Sequence, residues 1–161
     1  MKLSILITLL NEELVLAQTH KAISEKLDSM LESEELSDYE ILYIDDGSRD
    51  KTLELIDAIA IENHRVKYIS FSRNFGRESG ILAGFKYATG DAVMVMDGDL
   101  QHPPYLIPLF VEAYKEGYDI VSGQRSREGE SMIGSFFARC FYAFSNHSMD
   151  VQLTDGKSEL R

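Results

Sequence analysis

The sequence predicts an α/β fold: a mostly parallel central sheet flanked by helices. Two observations carry this expectation. Apolar runs of strand length, without polar alternation, recur along the chain, as strands buried on both faces do. Segments with helical spacing of apolar residues separate them. A third observation concerns function. Each apolar run stops at polar or charged residues, so parallel strands would deliver those groups to one edge.

The first run is "LSILITLL", 3–10, followed by a helix expected over 13–31 from Leu16, Ile23, Leu27 and Met30 or Leu31. "YEILYIDD", 39–46, is the second strand, and Asp50 stands at the N-cap position of a helix over 51–61. "VKYISFS", 66–72, is the third, followed by a helix over 77–88 that Gly90 stops. "DAVMVMD", 91–97, is the fourth. Pro103 and Pro104 then suit the start of a helix reaching Glu116, with Gly117 past its end and Pro108 as an internal kink. "YDIVSG", 118–123, reads as a fifth strand, 124–130 as a loop, and 131–146 as a last amphipathic segment.

A chain of 161 residues is long enough for one domain with a real core, expected over 1–161. Apolar residues make up 44% and charged residues 27%, the proportions of a globular protein. No apolar run nears the roughly 20 residues that span a bilayer. The short apolar stretch at the N-terminus has no small-residue cleavage site after it and reads as a strand. A lone cysteine, Cys140, rules out an internal disulfide and suits a reducing compartment. The formal net charge of −11 argues against nucleic acid, whose phosphates call for Lys and Arg. A small phosphorylated ligand stays compatible if a metal or a few placed arginines assist.

The strand ends supply the candidates. Asp97 and Asp99 are two apart, so both carboxylates point to one side of an extended segment, and Gly98 lets a ligand approach the backbone. With Gln101 they form an oxygen donor set suited to Mg²⁺ or Mn²⁺. Taken alone, the pair is better explained by a polar turn after a strand. In "DDGSRD", a turn at Gly47 and a cap at Asp50 account for part of the motif. They leave Asp45 and Asp46 unexplained, and a carboxylate there could accept from a nucleobase or ribose. Arg73, Arg77, Arg125 and Arg127 are candidate phosphate contacts, since guanidinium forks onto phosphate oxygens. His102 stands near the metal candidates between Gln101 and prolines, where a structural role fits better. His20, His64 and His147 read as surface residues.

Together "NEE", "IDDGSRDKT", "SRNFGRESGILAGFKYATGDAVMVMDGDLQHPP" and "GYDIVSGQRSREGES" resemble, in order and spacing, the family 2 glycosyltransferases of GT-A fold. "RNFG" with "MDGDLQHPP" is similar to the polyprenyl-phosphate branch, the dolichol-phosphate mannose synthases and undecaprenyl-phosphate glycosyltransferases. The resemblance implies inverting, metal-dependent transfer from a UDP- or GDP-sugar to a polyprenyl phosphate. It puts Thr8, Leu10, Glu12, Ile44 and Asp46 at the nucleoside, and Asp97, Gly98 and Asp99 at the nucleotide and metal. Asp99 and Gln101 are then metal ligands and Arg125 a diphosphate contact. In "SELR", Glu159 and Arg161 take the acceptor side, with Asp97 and Asp99 completing the catalytic set.

The chain departs from the family pattern at Thr8 and Leu10, where the family carries a proline and an aromatic, and at Glu159, where it carries aspartate. Relatives continue past the equivalent of Arg161, commonly into amphipathic and membrane-spanning helices. The resemblance therefore implies a catalytic domain lacking its C-terminal part and an intact protein at the cytoplasmic side of a membrane. "SFFARCFYAFSN" fits a membrane-facing helix or a core helix equally. Two other functions stay open: transfer to a hydroxyl of a polysaccharide, lipid or protein, and nucleotide-sugar binding without turnover. Oligomeric state is open too, a homo-oligomer included. The lack of "GxGxxG" after the first strand argues against a dinucleotide-dependent dehydrogenase.

Overall fold

The computed structural model describes residues 1–98 and 103–123. Residues Met1–Val121 fall in one compact unit, built on a four-stranded parallel sheet. Its elements in order are β1 (Lys2–Leu9), α1 (Leu16–Glu32), β2 (Asp38–Asp45), α2 (Thr52–Glu62), β3 (Val66–Ser70), α3 (Arg77–Tyr87) and β4 (Ala92–Asp97). A 3₁₀ turn, Pro104–Leu106, leads into α4 (Ile107–Lys115). The strand order is β3-β2-β1-β4.

That order explains the layering. The chain steps outward from β1 to β3, then crosses back over the sheet to place β4 beside β1. Right-handed crossovers in opposite directions put their helices on opposite faces. The larger core accordingly joins Ile5, Ile7, Tyr43 and Met96 to Leu16, Ile23 and Leu27 of α1, Ile56 of α2, and Ile107 and Val111 of α4. On the other face Leu6, Leu42, Ile44 and Val95 pack with Ile81 of α3. α3 approaches closely because Gly80 and Gly84 face the strands. A methyl group at Gly84 would lie 2.5 Å from Leu6 Cδ2 and 3.2 Å from Ile44 Cδ1. Gly84→Leu is expected to overpack this layer and cost about 2 kcal/mol, read from urea unfolding midpoints.

Several expectations need correction. The segment 118–123 is not a strand. Tyr118 is 60% and Ile120 80% exposed, and β4 pairs with β1 alone among the described residues. An apolar run becomes a strand only where a sheet edge takes up its backbone groups. This one instead lines a groove of about 460 Å³ with Met1, Val93 and Phe110, at the end of β4 where the strand begins. Pro108 does not kink α4; it sits in the first turn, where a missing N–H costs nothing. Gly90 is not a left-handed cap. α3 ends at an extended Ala88, and a methyl at Gly90 would stand 2.7 Å from Ser4 N. α2 starts at Thr52, one residue later than expected, though Asp50 still accepts from Thr52 N at 3.0 Å.

His20 is not a surface residue either. It is half-buried, 3.1 Å from the hydroxyl of buried Tyr43, and burial lowers its pKa against the opposing charge of Asp28. The expected loop at 124–130 and the amphipathic segment at 131–146 lie outside the described residues. Among the described residues, no helix is long and apolar enough to cross a membrane.

Candidate active site

The strand order reverses between β1 and β4. In an open α/β sheet, ligands bind at such a switch point, outside the carboxyl ends of the strands. The register shows which residues meet there. Thr8 of β1 lies beside both Ile44 of β2 and Asp97 of β4. Neighbours across parallel strands share a face, so these three side chains form a row. α3 covers that row with its first turn. A methyl at Gly80 would lie 3.0 Å from Thr8 Cγ2 and 3.2 Å from Ile44 Cγ2.

Asp97 ends β4 with its side chain 29% exposed. Arg77, the first residue of α3, donates to its Oδ1 from Nε at 3.2 Å and from Nη2 at 2.8 Å. The carbonyl of Gly98 accepts from Thr19 Oγ1 at 2.8 Å, which fixes the backbone just beyond β4. A side chain at Gly98 would run into Leu9.

The loop after β2 is held from both sides. Asp45 is 1% exposed and accepts from Ser48 N at 3.1 Å and Ser70 Oγ at 3.0 Å. Asp46 is 4% exposed, and its two oxygens accept the backbone N–H groups of Phe75 at 2.7 Å and Gly76 at 2.9 Å. Gly47 turns at φ 75°, where an added methyl would lie 2.6 Å from Arg73 Cα and 2.8 Å from Asn74 N. The loop after β1 closes the other side. Asn11 N donates to Ser48 Oγ and Asn11 Oδ1 accepts from Arg49 N, at 2.9 and 2.8 Å. Glu12 N donates to Thr52 Oγ1 at 2.8 Å. Glu13 N donates to Asp50 Oδ2, and Glu13 Oε2 accepts from Lys51 N.

"NEE" and "DDGSRD" are therefore one interlocked structure. Sequence reasoning took both as strand-end polar groups and missed their pairing, which no local pattern marks. It also missed Glu40, although a glutamate inside the apolar run "YEILYI" was a visible signal.

Of the sequence candidates, the structure brings Thr8, Ile44 and Asp97 together in the row and places Asp46, Leu10 and Glu12 on the loops beside it. Leu10 is 39% exposed at the mouth. Arg77 reaches the site through Asp97, while Arg73 stacks on the ring of Phe75 at 4.3 Å. Asp99, Gln101, His102, Arg125, Arg127, Glu159 and Arg161 lie outside the described residues. Among the described residues no group of three metal-ligating side chains converges.

Comparison with known proteins shows the family and the fold. The chain is 52% identical over 124 residues to the CsbB protein of Bacillus subtilis (strain 168), covering 77% of this chain and 38% of that protein. It is 35% identical to the prophage bactoprenol glucosyl transferase homolog of Escherichia coli (strain K12), covering 100% of this chain and 51% of the relative. The chain thus spans about half or less of the length of these relatives. Its fold matches a mannosyltransferase of Pyrobaculum calidifontis, solved with GDP-Man and Mn²⁺, at a TM-score of 0.59 and 16% identity over 76% of this chain and 35% of that one. The family model for glycosyl transferase family 2 matches residues 4–151, so the α/β unit with its switch-point site belongs to a chain of glycosyl transferase family 2.

Proposed function

We propose that this chain carries the nucleotide-sugar site of an inverting glycosyltransferase that moves a sugar from a nucleotide diphosphate to a polyprenyl phosphate. The observation that carries the reading is the row Thr8, Ile44 and Asp97 at the switch point, flanked by the interlocked loops that hold Asp46. Such a crevice takes a nucleoside, with Leu10 supplying an apolar contact where the family has an aromatic. Asp46 sits one residue past the end of β2, its carboxylate fixed by two N–H groups. Glu12 completes the nucleoside side.

The diphosphate end lies past β4. Asp97 starts an all-oxygen donor set with Asp99 and Gln101, the chemistry that a hard cation takes. Mg²⁺ or Mn²⁺ on Asp99 and Gln101 would supply positive charge against the leaving diphosphate. Arg125 would add a forked contact to the same oxygens, where negative charge develops.

The relative named for bactoprenol supports a lipid phosphate as acceptor. A phosphate monoester has a second pKa of about 6, so it is largely ionised at neutral pH and attacks without a strong base. Arg161 would hold that phosphate, with Glu159 orienting it. A polyprenyl acceptor places the intact protein on a membrane surface, at its cytoplasmic side.

Calorimetry of the whole protein with UDP and GDP, with and without Mn²⁺, tests the reading. The wild type is expected to bind one of them more tightly with Mn²⁺, and Asp99→Ala to lose at least tenfold of that gain. Metal-dependent binding that survives Asp99→Ala would refute the metal site. Sugar transfer to a hydroxyl acceptor but not to a polyprenyl phosphate would refute the acceptor.

A further inference from the structure

We infer that Arg77 is a positioning residue for the nucleotide site, acting through Asp97 and not by direct contact with the ligand phosphates. The inference rests on the nucleotide-sugar reading above and names a residue that reading does not use.

Three observations support it. Arg77 grips one oxygen of Asp97 with two nitrogens, Nε at 3.2 Å and Nη2 at 2.8 Å. A guanidinium held in this way is oriented as well as charged. Both side chains are mostly covered, at 27% and 29% exposure, so the pair is less screened than a surface ion pair.

The third observation is how Arg77 is itself placed. It follows Gly76, whose φ of 92° turns the chain into α3. The N–H groups of Phe75 and Gly76 are bound by the two oxygens of Asp46. Gly47, next to Asp46, packs directly under the backbone of Arg73 and Asn74. The loop after β2 therefore fixes the start of α3, and the start of α3 fixes the carboxylate that ends β4.

This arrangement gives Arg77 a definite task. Asp97 ends β4 and Asp46 follows the end of β2, strands separated by β1, and among the described residues no backbone hydrogen bond joins β2 to β4. Arg77 links the two sides of the site across the covering helix. Without it, Asp97 loses the two hydrogen bonds that reach its Oδ1 from the start of α3. Loss of a fraction of an ångström of positioning is enough to weaken a site of this kind.

A double-mutant cycle on nucleotide affinity tests the role, read by calorimetry on the whole protein with UDP and with GDP in the presence of Mn²⁺. Arg77→Met is expected to weaken binding about tenfold. Arg77→Lys, which restores the charge without the fork, should lose less. In an Asp97→Asn background the Arg77→Met loss should shrink to less than about twofold, because its effect passes through the missing carboxylate. Equal losses in both backgrounds overturn the proposal and make Arg77 a direct ligand contact. A loss matched by an equal fall in the thermal midpoint overturns it in favour of a purely structural role. A wild-type protein that binds neither nucleotide overturns the nucleotide reading itself, and the Arg77 role with it.

Discussion

Gly47→Ala is expected to destabilise the protein by about 3 kcal/mol, more than any other single methyl addition at a described glycine. Two costs add at this position. The backbone has φ 75°, a region that a Cβ penalises. The new methyl would also lie 2.6 Å from Arg73 Cα and 2.8 Å from Asn74 N, both backbone atoms that cannot rotate away. Gly76→Ala separates the two costs. Its φ is 92°, but nothing lies within 4 Å of the added methyl. It should therefore pay a conformational cost alone, about 2 kcal/mol at its ψ of 153°. Urea unfolding of both variants measures the difference. Equal losses would show that the contact between the "DDGS" turn and the "RNFG" loop is not tight. Because that contact also sets the start of α3, Gly47→Ala should weaken nucleotide binding along with stability.

The second large effect is expected at Glu40. This glutamate is 2% exposed in the middle of β2, on the face that α3 covers. Its Oε1 accepts from Ser4 Oγ at 2.7 Å and Thr89 N at 2.6 Å, and its Oε2 from Lys67 Nζ at 2.8 Å. Lys2 Nζ stands 3.7 Å away. The carboxylate thus ties β1, β3 and the turn after α3 to β2. Glu40→Ala would leave the Ser4 hydroxyl and the Thr89 N–H without their acceptor and Lys67 without its ion pair, at a cost of about 3 kcal/mol.

The pH dependence follows from the same contacts. Burial pushes the Glu40 carboxyl up, but the hydrogen bonds from Lys67, Ser4 and Thr89 outweigh it and hold the pKa at about 2, against an ordinary 4.5. The folded value is depressed. The stabilisation is therefore fully present above about pH 4.5 and is lost as pH falls toward 2. The size is about 2 kcal/mol once the exposed end of Lys67 is discounted. Unfolding midpoints between pH 7 and pH 2.5 should fall less steeply for Glu40→Gln than for the wild type. Parallel slopes would mean that Glu40 is not charged in the folded protein.

Much of the unit was legible from residue patterns. The runs ending at Leu9, Asp45 and Asp97 are nearly unbroken in apolar residues because both faces of a parallel sheet are covered, and composition alone reveals that. The helices between them showed their apolar spacing. The strand-end carboxylates were legible for the same reason: a charge at the end of a buried run stands out. "YDIVSG" has the same composition as the true strands and is not one among the described residues. Composition reports what a segment would do if paired, and pairing depends on an edge elsewhere in the chain.

The site divides in the same way. The sequence by itself determined which carboxylates end the buried runs, Asp46 and Asp97, while Thr8 and Ile44 entered only through the resemblance to the family. Strand length and the two-residue period fix that locally. Only the tertiary structure decided how they act together. The reversal of strand order puts β4 beside β1, so that Thr8 lies between Ile44 and Asp97. The same crossover lays α3 over the row, brings Arg77 to Asp97, and turns Asp46 toward the backbone of Phe75 and Gly76. The physical reason is range. A side chain's preference for strand, turn or cap is set by its neighbours within a few residues. A hydrogen bond between residues 20 or 30 positions apart exists only once the sheet has chosen its order.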